Sequence, residues 1–145
     1  TGISGVEVIR ADPSEITDYA ETVLAGPVNL FIPAQQTTTQ SGTCTVPDDV
    51  TVFAVGPHMH QLGTHMVVRA NGQVIHDEAY TFDDQLHYPL PEQIQLSQGD
   101  SVEVECTYEN NTADNVQFGD STNQEMCFAG LFHYPAGSFN LICAF

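Results

Sequence analysis

Between Ser101 and Tyr108 the chain alternates without a break: Val102, Val104, Cys106 and Tyr108 fall on one side, and Glu103, Glu105 and Thr107 on the other. A period of two sends successive side chains to opposite faces, so this stretch is a half-buried strand in an antiparallel sheet. The same constraint governs the chain on either side. Asn71-Gly72 is the strongest hairpin signal present, with Thr64 to Ala70 as one arm and Gln73 to about Tyr80 as the other. Further strands are expected over Ile3 to Ile9, Val28 to Ile32, around Cys44, from Val52 towards His60, over Glu125 to Tyr134 and over Phe139 to Phe145. Asp18 to Leu24 is compatible with a short turn of helix stopped by Gly26-Pro27, and the Thr-rich stretch from Gln35 to Gly42 reads as a loop. Pro89 and Pro91 demote their segment to an edge strand or loop. About nine short strands, many turns and little helical periodicity give an all-β chain, an antiparallel two-layer β-sandwich of jelly-roll type.

A length of 145 residues is near that of one domain and allows a substantial core. One domain is therefore expected over residues 1–145. Nineteen Asp and Glu face two arginines, Arg10 and Arg69, with no lysine, which gives a net charge of -17. That balance argues against nucleic acid and anionic membranes as partners, and its self-repulsion eases in salt. No apolar run approaches the roughly 20 residues that span a membrane, and no signal peptide is evident; a chain beginning at Thr1 reads as a processed protein or an excised domain. Cys44, Cys106, Cys127 and Cys143 lack C-x-x-C spacing, so disulfides and an oxidising compartment, extracellular or periplasmic, are expected.

The run Val52-Phe53-Ala54-Val55-Gly56-Pro57-His58-Met59-His60 delivers two histidines one residue apart. If the strand continues to His60, the pleat puts both rings on one face, roughly 6.5–7 Å apart along the chain, where one ion fits between them. Imidazole suits copper, zinc, iron and nickel alike. For a third ligand, spacing leaves His65, His76, His87, His133, the methionines and every carboxylate open.

Three stretches narrow that choice by resemblance. Gly56-Pro57-His58-Met59-His60-Gln61-Leu62-Gly63, then Gly99-Asp100 running to Cys106, then Glu125-Met126-Cys127 resemble, in order and spacing, the C-terminal domain of the copper type II ascorbate-dependent monooxygenases, which include the peptidylglycine α-hydroxylating and dopamine β-monooxygenases. The resemblance runs from Cys44 to Cys143, with residues 1–43 as lead-in strands. It implies one copper ion held by His58, His60 and Met126, at which dioxygen is activated for C–H hydroxylation. A thioether beside two neutral imidazoles favours Cu(I) over hard cations. The resemblance also implies the disulfides Cys44–Cys143 and Cys106–Cys127, the second bracing the segment that carries Met126.

The chain departs from that family in two ways. Known members carry a second copper domain with an adjacent His-His pair, absent here, so electrons are expected from outside: a second copper domain, another redox module or a small reductant. In the peptide-amidating members an arginine, an asparagine and a tyrosine hold the peptide; here those positions are Gly56, Phe128 and Gly130, which implies a different, apolar small-molecule substrate. His65 is expected at the surface or beside the ligands, and His76, His87 and His133 in solvent or core hydrogen bonds. Glu125 is expected either to orient a ligand or to support the local turn. A copper carrier or sensor without catalysis is the competing function. A cupin-like enzyme is disfavoured, because Thr64 and His65 stand where its glutamate belongs.

Overall fold

The computed structural model describes residue 2, residues 4–137 and, for the backbone alone, residues 142–144. Among them are eleven strands and one turn of 3-10 helix at Pro13–Glu15, capped by the Asp12 carboxylate. The strands are β1 (Glu21–Gly26), β2 (Phe31–Ile32), β3 (Gln36–Thr45), β4 (Val50–His58), β5 (Gly63–Ala70), β6 (Gln73–Ala79), β7 (Tyr88–Leu96), β8 (Ser101–Asn110), β9 (Val116–Gln117), β10 (Phe128–Tyr134) and β11 (Ile142–Ala144).

They form a five-stranded sheet in the order β11-β1-β10-β4-β7, a four-stranded sheet in the order β3-β8-β5-β6, and the small pair β2-β9. Pairing is antiparallel except between β1 and β11, which run parallel. A single apolar cluster joins the sheets: Val23, Val52, Val55 and Leu131 from the first meet Met66, Val68, Val104 and Tyr108 from the second. The all-β, antiparallel expectation holds, and two sheets sharing one core form a sandwich. The strand order does not by itself establish a jelly-roll winding.

Several elements match the sequence reading. Asn71 and Gly72 adopt left-handed φ values of 49° and 77°, the conformation of a tight hairpin turn, and β5 and β6 pair across it. β8 shows the alternation read from its sequence, with Val102, Val104, Cys106 and Tyr108 all buried. β7, with its two prolines, lies at the sheet edge.

Three expectations are corrected. Residues 18–24 hold no helix; β1 instead occupies a place inside the five-stranded sheet, between β10 and β11. The Thr-rich stretch is no loop but the ten-residue β3, which pairs along its whole length with β8 and runs along the sheet margin with its polar side chains in solvent. Residues 4–9 form no strand, and Val6, Val8 and Ile9 are exposed. Of the strand expected over Phe139 to Phe145, Ile142–Ala144 is seen and the rest lies outside the described residues. Cys106 and Cys127 are disulfide-bonded, as expected. The other expected bond, Cys44 to Cys143, involves a side chain outside the described residues.

Candidate metal centre

A β-bulge decides where the first histidine points. β4 pairs with β10 as Leu131↔Val55 and Phe132↔Ala54, but His133 then meets Val52, so Phe53 is the extra residue. Before the bulge Val50 and Val52 face the core; after it the facing residue is Val55. The alternation thus carries Gly56 and His58 to the outer face of the sheet and Met59 into the core, where it is 0% exposed.

The strand ends at His58, so the premise that it continues to His60 is not met. The two rings nevertheless stand with centroids 5.3 Å apart, edge to face. A turn closes behind them, with the Gly63 N–H donating to the His60 carbonyl at 3.4 Å, and β5 begins.

That turn is held by a buried carboxylate. Glu125, 1% exposed, accepts the His60 N–H on one oxygen and the Leu62 N–H on the other, both at 2.7 Å. Burial pushes its carboxyl above the ordinary value, while the two N–H donors oppose the rise. Glu125 thus braces the turn, and the braced backbone is that of His60.

Both imidazoles have their Nδ1 atoms occupied. His60 Nδ1 lies 2.8 Å from the Gln124 carbonyl, which can only accept, so that nitrogen carries the proton. His58 Nδ1 lies 2.8 Å from Gln85 Oε1. The bare lone pair of each ring is then on Nε2, the form in which imidazole binds a metal.

Met126 is half-buried and fixed on both sides. Upstream, the Glu125 backbone bonds Gln117 and Gly119; downstream, Cys127 is tied to Cys106 of β8. The Met126 carbonyl itself accepts from the Tyr108 hydroxyl at 2.8 Å. Met126 lies two residues before Phe128, the residue that pairs with His58 at the start of β10. The Tyr80 hydroxyl holds the Met59 carbonyl, between the two histidines, at 2.6 Å.

No group of three or more His, Cys, Asp or Glu side chains among the described residues is arranged to hold a metal. A centre on His58 and His60 therefore needs a ligand of another type, and the thioether of Met126 fits by chemistry. Two imidazoles with bare Nε2 atoms, joined by a soft thioether, are a donor set that suits copper, above all Cu(I).

The remaining histidines lie elsewhere. His65 is at the surface, 3.1 Å from Asp77. His76 is buried against the Tyr88 ring, with centroids 4.8 Å apart. His133 is buried near Glu21, at 3.6 Å. His87 packs on Phe132 with centroids 4.7 Å apart, and its ring stands where a side chain at Gly56 would begin, 2.9 Å from an ideal Cβ. On the outer face beside His58, Gly56 pairs with Gly130, Phe128 pairs with His58 itself, and Leu24 pairs with Gly130. None of these register positions carries a charged side chain, and the His87 ring covers Gly56.

Gln85, Phe82, Gln124, Tyr80 and Tyr108 all support the site, and none carries a pattern in the sequence. Their partners lie 18 to 64 residues away, and the Phe82 ring meets its own partner, His60, edge-on at 6.2 Å.

With this geometry in place, comparison defines the class. The family profile for copper type II ascorbate-dependent monooxygenase, C-terminal domain, matches residues 18–144, and the chain belongs to that family. Among curated relatives, the DBH-like monooxygenase protein 2 of Homo sapiens is 32% identical over 99 residues, covering 63% of this chain and 20% of that protein. The DBH-like monooxygenase protein 1 of Gallus gallus is 34% identical over 98 residues, covering 61% and 16%. The chain thus spans about a fifth or less of the relatives it matches. Among solved structures, dimeric latent PorU from Porphyromonas gingivalis is similar at 12% identity and a TM-score of 0.33, covering 83% of this chain and 14% of that one, too remote to bear on fold or function.

Proposed function

We propose that residues 1–145 are a single copper domain that activates dioxygen for C–H hydroxylation of an apolar small molecule. The observation that carries this reading is the pair His58 and His60, 5.3 Å apart by ring centroid, with both Nδ1 atoms engaged and both Nε2 atoms left for a metal. Bound through His58, His60 and Met126, a single copper ion would supply dioxygen binding and one-electron chemistry.

The chain's own residues do the rest. Glu125 and the Tyr80 hydroxyl hold the backbone around His60, and the Cys106–Cys127 disulfide steadies the segment of Met126. Phe128, Leu24 and the glycine pair put no charged side chain at the register positions beside His58. A substrate carboxylate finds no cation there: Arg69 faces Glu103 and Glu105 on β8, Arg10 lies in the exposed N-terminal segment, and the chain has no lysine. Electrons come from a donor outside the chain, either a second copper domain, another redox module or a small reductant. Neither nucleic acid nor a membrane is a partner. The disulfide supports an extracellular or periplasmic location, and no helix among the described residues is long and apolar enough to cross a membrane.

The competing carrier reading is separated by reactivity. The Cu(I)-loaded chain is expected to be reoxidised by dioxygen or peroxide, and faster with an apolar substrate present. Cu(I) that survives air and peroxide with no substrate consumed would favour a carrier or sensor.

A further inference from the structure

Gln85 lies between β6 and β7, 27 residues from His58 in sequence. Its Nε2 donates to the Phe82 carbonyl at 3.1 Å. That bond fixes which end of the amide faces the histidine: the oxygen, an acceptor, is presented to His58 Nδ1 at 2.8 Å. Nδ1 must then donate, and Nε2 is bare. The same short stretch reaches the second histidine, because the Phe82 ring packs edge-on against His60 at 6.2 Å and 79°. One loop therefore touches both rings: Phe82 packs against the core, whereas Gln85 is exposed and belongs to no core cluster.

We propose that Gln85 is the positioning residue for His58, a neutral amide clamp that holds the ring as the Nδ1–H tautomer and keeps the centre's preference on Cu(I). The chemistry lies in the word neutral. A carboxylate at this place would form a charge-assisted bond, draw the Nδ1 proton away and make Nε2 a stronger donor, which favours the more highly charged Cu(II). An amide orients the ring without that push. His60 is treated alike, since its Nδ1 partner is a backbone carbonyl. The nearby acidic residues Asp83 and Asp84 supply no ring acceptor for either histidine; in a chain with nineteen acidic residues, both are met by neutral oxygens.

This inference rests on the copper reading above, and three variants of the 145-residue chain separate the two. In the copper-free protein, ¹⁵N NMR of His58 should show the Nδ1–H tautomer, and Gln85→Leu should turn it into a mixture. In chelator competition, Gln85→Glu should raise the Cu(II):Cu(I) affinity ratio about tenfold, equivalent to about 59 mV lower potential for a one-electron couple. Gln85→Leu should weaken Cu(I) binding about tenfold, as loss of a partner outside the ligand shell does. The position is exposed, so both variants should fold with an unchanged Tm. An unchanged tautomer together with affinities within about twofold of the wild type would overturn the role of Gln85. The third variant, His58→Ala, locates the failure. If copper affinity survives it, the metal centre itself is wrong; if affinity is lost but the Gln85 variants change nothing, only the clamp is wrong.

Discussion

Glu125 is the residue on which the geometry of the candidate centre turns. It is 1% exposed and satisfies two backbone donors, one of them the N–H of His60. Removing it leaves two donors without partners and opens a cavity, and each buried orphan costs about 1–3 kcal/mol. Glu125→Ala should therefore lower stability by about 2–5 kcal/mol in urea unfolding. Glu125→Gln retains one acceptor and should lose less; equal losses would mean that the two N–H bonds are not what Glu125 contributes. The His58 and His60 pair was legible in the sequence because its spacing is local, whereas Met126 was reached only through the resemblance of Glu125-Met126-Cys127 to the family. Gln85 and Gln124 were not legible, because a hydrogen bond across a fold requires only an oxygen in the right place and leaves no period or motif.

At the scale of elements, the bulge at Phe53 and the turn after His60 set the two rings. Gly63 follows that turn, and an added Cβ there would come 2.6 Å from Met59 Cβ and 2.8 Å from its sulfur. Met59 is fully buried between the two histidines, so it cannot yield without moving them. Gly63→Ala should therefore weaken copper binding by about tenfold, a perturbation the size of a lost supporting contact, and lower the Tm as well. Normal affinity would show that Met59 adjusts without moving the rings. The elements misread from sequence share a cause. β1 lies between two neighbouring strands and shows little alternation along Thr22-Val23-Leu24-Ala25, so nothing in its pattern separates it from a turn of helix. β3 is polar because it runs along a margin; its threonines are good strand formers, and the Thr39 and Thr107 hydroxyls meet at 3.0 Å across the ladder.

For the whole molecule, the buried histidines link stability to pH. Burial pushes the His76 imidazole below the ordinary 6.5, against the opposing pull of Glu78 and Asp77. Burial does the same to His133, against the pull of Glu21. Each therefore binds its proton more readily in the unfolded chain. Stability should be level above about pH 6.5 and fall as the pH drops below it. Thermal melts between about pH 7.5 and 5.5 would show this, and His76→Phe, which keeps a ring against Tyr88, should flatten part of the slope. A Tm that rises on acidification through that range would contradict the assignment. The charge of -17 adds a second dependence: self-repulsion is screened by salt, so the Tm should increase with ionic strength. The central claim, that one copper ion is held by His58, His60 and Met126, is tested most directly by X-ray absorption of the Cu(I)-loaded 145-residue chain. The account predicts two imidazole nitrogens and one sulfur at the metal, with the sulfur lost in Met126→Ile; a spectrum without sulfur, or one that Met126→Ile leaves unchanged, would contradict it.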